Sequence, residues 1–197
     1  MIFEVMKMDE KKAIEIIDSF YPEDDELKRT LLKHSRQVKD KTLELAGKTD
    51  IHMNFELLAA GAMLHDIGIR ACHAPGIFCR GELHYLRHGM AGAEMLREYG
   101  KKHNVDLEAF ALICERHTGS GLTAADIAAQ QLPLPQQDFL PLSAEEKLVC
   151  LADKFFSKSG DMEEKKFEAV RRSMAKFGTE SLERFDRMWD FFSFRSV

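Results

Sequence analysis

Residues 55–68 read FELLAAGAMLHDIG. From Leu57 to Leu64 every side chain is apolar or small, and Asn54 before them is a good helix N-cap. Ala59, Ala60, Gly61 and Ala62 would let neighbouring helices approach closely. The run is far shorter than the roughly 18–20 residues needed to cross a bilayer, so it reads as a buried helix. It ends on an ionisable doublet, His65-Asp66, and such a pair buried without a partner would be costly.

Working outward, the same conflict recurs. A helix over about 24–46 carries Leu27, Leu31, Val38 and Leu45 on one stripe, with His34 among them and Gly47 as its stop. Far downstream, Asp153 sits inside LVCLADKFF, again a charge in an apolar run. Three such groups on three apolar helices are best explained by a shared cation, since imidazole and carboxylate are the usual ligands of divalent metals. Separate satisfaction of each in the core is the competing explanation. Two more histidines follow helical apolar spacing: His88 with Ala91 and Met95, and His117 with Phe110 and Ile113.

The remaining chain reads as helices near 9–20, 84–99, 106–117, 123–131, 144–157, 161–177 and 180–193. Ser143 and Glu146 match a capping box, and Gly100 marks a stop. Residues 70–83, with Pro75, Gly76 and Gly81, form an irregular loop near a site mouth. LPLPQQDFLPLS (132–143) crosses the surface in extended form. Residues 1–158 are expected to form a core with an N-terminal helix, and 159–197 a helical extension packed on it.

The chain has 197 residues and a net charge of −5, with 45% hydrophobic and 31% charged content, as in an ordinary globular protein. The acidic balance and the lack of an aromatic-basic platform argue against nucleic acid as a partner. No secretory h-region opens the sequence, which points to a cytoplasmic protein with no membrane partner, a monomer or homodimer. Cys72, Cys79, Cys114 and Cys150 form no CxxC pair and read as free thiols. A zinc site from Cys72, His73, Cys79 and His84 is conceivable at loose spacing.

The order His34, His65-Asp66 within HDIG, and Asp153 within ADK resembles the H…HD…D signature of the HD superfamily of metal-dependent phosphohydrolases, over residues 27–158. HGMAGAEML from His88 and ICERHTG around His117 are similar to segments of its two-metal members. HTG followed by SAEEKLVCLADK looks like small HDIG proteins and HD-type diadenosine tetraphosphate hydrolases. Thr118 after His117, and the lack of a GYP motif, depart from the cyclic-di-GMP hydrolases.

The resemblance implies an all-α helical bundle with one or two divalent ions (iron, manganese, zinc, nickel or magnesium) between core helices. Asp66 would bridge them, with His34, His65 and Asp153 on one and His88 and His117 on the other. A hydroxide between two cations would attack the phosphorus of a nucleotide-like substrate. Lys154 and Arg116, adjacent to two of these ligands, are the first candidates to neutralise its phosphate, then Arg70, Arg80 and Arg87. His84, one turn before His88, could protonate a leaving group. The same ligands serve mixed-valent di-iron oxygenases, which is the alternative chemistry, and a non-catalytic nucleotide sensor is a third reading.

Overall fold

A computed structural model describes residues 8–195. Among them nine α-helices form: α1 (Glu10–Phe20), α2 (Glu26–Ala46), α3 (Phe55–Leu64), α4 (His88–His103), α5 (Glu108–Arg116), α6 (Ala124–Ala129), α7 (Ala144–Asp153), α8 (Phe167–Ala175) and α9 (Thr179–Phe192). No described helix is long and apolar enough to cross a membrane.

Side chains start most of these helices as their chemistry dictates. Asp9, Asp25 and Asn54 each accept from backbone N–H groups of the first turn. Thr123 and Asp126 complete a reciprocal capping box on α6. The box expected at Ser143 is only half formed. Ser143 accepts from Glu146 N, but the Glu146 carboxylate accepts from Leu142 N at 2.9 Å and from Arg116 at 3.0 Å. An arginine from another helix thus redirects a local motif.

The all-helical architecture expected from the sequence is present, with α3 at its centre. It packs against α1, α2, α5 and α7, while α4 lies along α5. One apolar cluster joins Ile16 and Ile17 of α1, Met63 and Leu64 of α3, and Leu96 of α4. A second joins Val38 of α2, Ile113 of α5, Leu148 and Leu151 of α7, and Phe185 and Phe192 of α9. Phe167 and Trp189 pack as tilted rings with centroids 4.3 Å apart between α8 and α9, whereas Phe177 between them is exposed.

Several boundaries differ from expectation. Between α3 and α4 the chain makes a 3-10 turn (Ile67–Ala71), a hairpin of β1 (His73–Ala74) and β2 (Cys79–Arg80) joined by a second 3-10 turn (Pro75–Ile77), and a third 3-10 turn (Tyr85–Arg87). Helix α4 therefore starts later, at His88, and runs past Gly100 to His103. Gly100 is not a stop: a Cβ there would lie 2.6 Å from Val105 O, so it makes room for the returning chain. Helix α7 ends at Asp153, and residues 154–166 are irregular, with Gly160 and Met162 at positive φ (76° and 60°).

Gly68 fixes how closely the HDIG turn meets α4. A Cβ on it would stand 2.2 Å from His88 O and 2.3 Å from Gly92 N, backbone atoms that cannot step aside alone. Gly68→Ala should therefore lower stability in urea denaturation by about 1–3 kcal/mol or more. Gly76→Ala, where a Cβ meets nothing within 4 Å, should stay within about 0.5 kcal/mol of the parent.

Candidate metal centre

Six side chains separated by up to 119 residues converge where α2, α3, α4, α5 and α7 meet. His34 comes from the inner face of α2, His65 and Asp66 from the turn after α3, and His88 from the first residue of α4. His117 follows the last residue of α5, and Asp153 is the last of α7. All six are buried. His34, His65, Asp66 and Asp153 form one group, and Asp66, His88 and His117 another, with the ligand atoms of each within 4.8 Å of one another.

Asp66 belongs to both groups through different oxygens. Its Oδ2 lies 3.2 Å from His34 Nε2 and 3.1 Å from His65 Nε2. Its Oδ1 lies 3.4 Å from both His88 Nε2 and His117 Nε2. Asp153 Oδ1 closes the first group at 2.9 Å from His34 Nε2.

The tautomers follow from what the other ring nitrogens touch. Nδ1 of His65, His88 and His117 lies 2.6–2.7 Å from the carbonyls of Ala62, Tyr85 and Cys114, each three residues back. A carbonyl only accepts, so each Nδ1 carries the hydrogen and the neutral ring turns its Nε2 lone pair inward. His88 Nε2 and His117 Nε2 then face each other at 3.0 Å, lone pair against lone pair. His65 Nε2 and both Asp66 oxygens are buried without a well-directed hydrogen bond. A cation in each group would satisfy these atoms, and four imidazoles with two carboxylates suit a first-row divalent metal.

Electrostatics agree. Burial drives His88 down to about 3, helped by the adjacent His117. Burial opposes ionisation of Asp66, but the charges of His65 and Lys158 outweigh it and hold the carboxyl well below its usual range. Asp153 is treated alike by Lys154 and Lys158. Burial also disfavours a charge on His65, yet Asp66 and Asp153 outweigh it and raise the imidazole to about 9.

Around the ligands, Lys154 Nζ donates to His117 O at 2.9 Å and to Asp153 Oδ2 at 2.5 Å, tying α7 to the end of α5. The Tyr85 ring stacks on His88 at 4.7 Å. A cavity of about 410 Å³ opens beside Asp153, lined by Ala74, Ile77 and Tyr85 from the hairpin side and by Lys154, Lys158 and Lys165. The 70–83 segment thus lies at the site mouth, as read from its glycines and proline.

The other candidate residues go elsewhere. Arg70 leans over the Tyr21 ring (5.1 Å) and, with Arg80, lines a different cavity of about 590 Å³. Arg87 lies in a third hollow beside Glu94 and Glu115. Arg116 is spent on Glu146. His84 is exposed, and its Nδ1 accepts from Leu86 N at 3.2 Å, which starts the 3-10 turn Tyr85–Arg87. Cys72, His73, Cys79 and His84 do not gather as a metal site among the described residues, and His73 and His84 are both exposed.

Lys158 escaped sequence reading altogether, although its ammonium stands 2.6 Å from Asp66 Oδ2. It lies in the irregular stretch after α7, where no periodicity marks an inward residue.

Helices that deliver histidine and aspartate to a shared buried centre define a class of helical folds built around a candidate metal site. The HD domain family model matches residues 31–157, and the chain belongs to that family. An uncharacterised protein of Methanocaldococcus jannaschii is 34% identical over 168 residues, 82% of this chain and 85% of its own. Two proteins called tRNA (cytidine(56)-2'-O)-methyltransferase also match. That of Picrophilus torridus is 35% identical over 149 residues, 76% of this chain but 36% of its own. That of Thermoplasma volcanium is 30% identical over 163 residues, 83% and 42%. No solved structure matches.

Metal-stripped protein given Mn²⁺ at about 100 times its Kd should gain about 2.7 kcal/mol. For a chain of this size that is about 5–10 °C in Tm. Asp66→Ala should remove most of the shift, and calorimetric scans with and without Mn²⁺ measure both.

Proposed function

We propose that this chain is a metal-dependent phosphohydrolase that cleaves a phosphomonoester or phosphoanhydride in a small nucleotide-like substrate. The observation that carries the reading is the division of labour within one carboxylate. Asp66 turns Oδ2 to His34 and His65 and Oδ1 to His88 and His117, the disposition of a ligand shared by two cations. His34, His65, Asp66 and Asp153 would hold one cation, and Asp66, His88 and His117 the other. Divalent cations at such a pair supply Lewis-acid polarisation of a phosphoryl oxygen and acidify water to near neutrality.

The chain's own residues hold this machinery rigid. Backbone carbonyls lock three imidazoles, and Lys154 fixes Asp153, so little reorganisation is left for the reaction itself. A side-chain nucleophile has no support. Burial pushes the Cys150 thiol up to about 11 and Cys114 well above the usual range, which keeps both protonated and unreactive. The lysine-lined cavity beside Asp153 offers an anionic group a cationic wall at this centre.

Mn²⁺-, Fe²⁺- and Zn²⁺-loaded protein should release phosphate from members of a nucleotide and phosphoester panel. Asp66→Ala should cut turnover by several orders of magnitude, with unchanged helical circular dichroism. His88→Ala should lower metal content from roughly two ions per chain to one. Oxygen uptake by the iron-loaded protein, with no phosphate release across the panel, would overturn the reading in favour of an oxygenase.

A further inference from the structure

Three lysines line the cavity beside Asp153, and they are held differently. Lys154 is fixed by His117 O and Asp153 Oδ2. Lys165 donates to Phe156 O at 3.1 Å and lies 3.4 Å from Lys154 O. Lys158 instead reaches inward. Its Nζ is 2.6 Å from Asp66 Oδ2 and 3.9 Å from Asp153 Oδ1, with only 12% of the side chain exposed.

That same Oδ2 is the atom that His34 Nε2 and His65 Nε2 approach at 3.2 and 3.1 Å. The ammonium therefore sits at the carboxylate oxygen that the first ligand group shares. A divalent cation and an ammonium on one oxygen in a buried setting repel strongly. A lysine has a flexible four-carbon stem and can leave without any backbone movement. The space next to it is the cavity, whose volume of about 410 Å³ falls within the usual small-ligand range of about 300–1,000 Å³. Phe156 and Met174 give that cavity an apolar wall.

We propose that Lys158 is a resident counter-cation of Asp66 that yields its place to the metal and then anchors the substrate's phosphate. In the stripped protein its ammonium neutralises a carboxylate that would otherwise be buried without a partner. When metal binds, the ammonium moves into the cavity beside Lys165 and makes an anion site there. Metal loading and phosphate binding are thereby coupled. The anion-binding half rests on the phosphohydrolase reading, while the counter-cation half does not.

Two measurements test the proposal. In the unmodified protein, reductive methylation followed by peptide mass spectrometry reads the accessibility of Lys158. Labelling should be low in stripped protein and rise severalfold with Mn²⁺, with Lys154 as an internal reference. In Lys158→Met, calorimetric titration should show Mn²⁺ binding about tenfold tighter, because no internal cation competes. Inorganic phosphate should bind the Mn²⁺-loaded variant at least tenfold more weakly than the Mn²⁺-loaded parent, with KM rising more than kcat falls. Equal labelling with and without Mn²⁺, or Mn²⁺ binding unchanged in the variant, overturns the counter-cation role. Lys158 released by Mn²⁺ in a protein that hydrolyses no phosphoester would sink the phosphohydrolase reading and leave that role standing. Active protein in which Lys158→Met changes neither Mn²⁺ nor phosphate binding would sink the Lys158 proposal alone.

Discussion

A single fully buried carboxylate, Asp66, organises this protein. Both oxygens are out of reach of solvent, and four imidazoles and an ammonium surround them. Placing an anion at the meeting point of five helices is tolerable only with compensating positive charge. Each helix supplies part of that environment, so the packing of α2, α3, α4, α5 and α7 and the electrostatics of the centre are one problem. The close approach permitted at Gly68 belongs to it too, since it presses the HDIG turn against the first turn of α4, where His88 lies.

The centre was readable from sequence because ionisable residues stand out against apolar surroundings. His34 on the Leu31–Val38 stripe, His65-Asp66 after LLAAGAML, and Asp153 within LVCLADKFF are exceptions to their own helices. The structure brings them together with His88 and His117. The all-helical class was equally legible, because 3.6-residue periodicity recurs through most of the chain.

What escaped was mostly what depends on where the chain passes in space. The direction of Arg70 is set by the ring of Tyr21, 49 residues earlier, and that of Arg116 by Glu146 on another helix. Gly100 looked like a helix stop, and the nearby carbonyl of Val105, where the chain turns back, shows why a glycine stands inside the last turn of α4. Lys158 is the sharpest case, since one lysine in an irregular stretch looks like any solvated cation until the fold turns it inward.

The carbonyl bonds of the histidine rings carry a consequence for the bare protein. Ala62 and Cys114 lie in the last turns of α3 and α5, where carbonyls lack helical partners. The Nδ1–H of His65 and of His117 fills that vacancy, so each ring also caps its helix. His34 has no such bond, for its Nδ1 is unpartnered. Evolutionary drift at the first two positions would thus fray a helix even in a descendant that had abandoned metal, whereas drift at His34 would not. Lineages that lose the chemistry should shed His34 first and keep His65 and His117 longer, as relics of architecture.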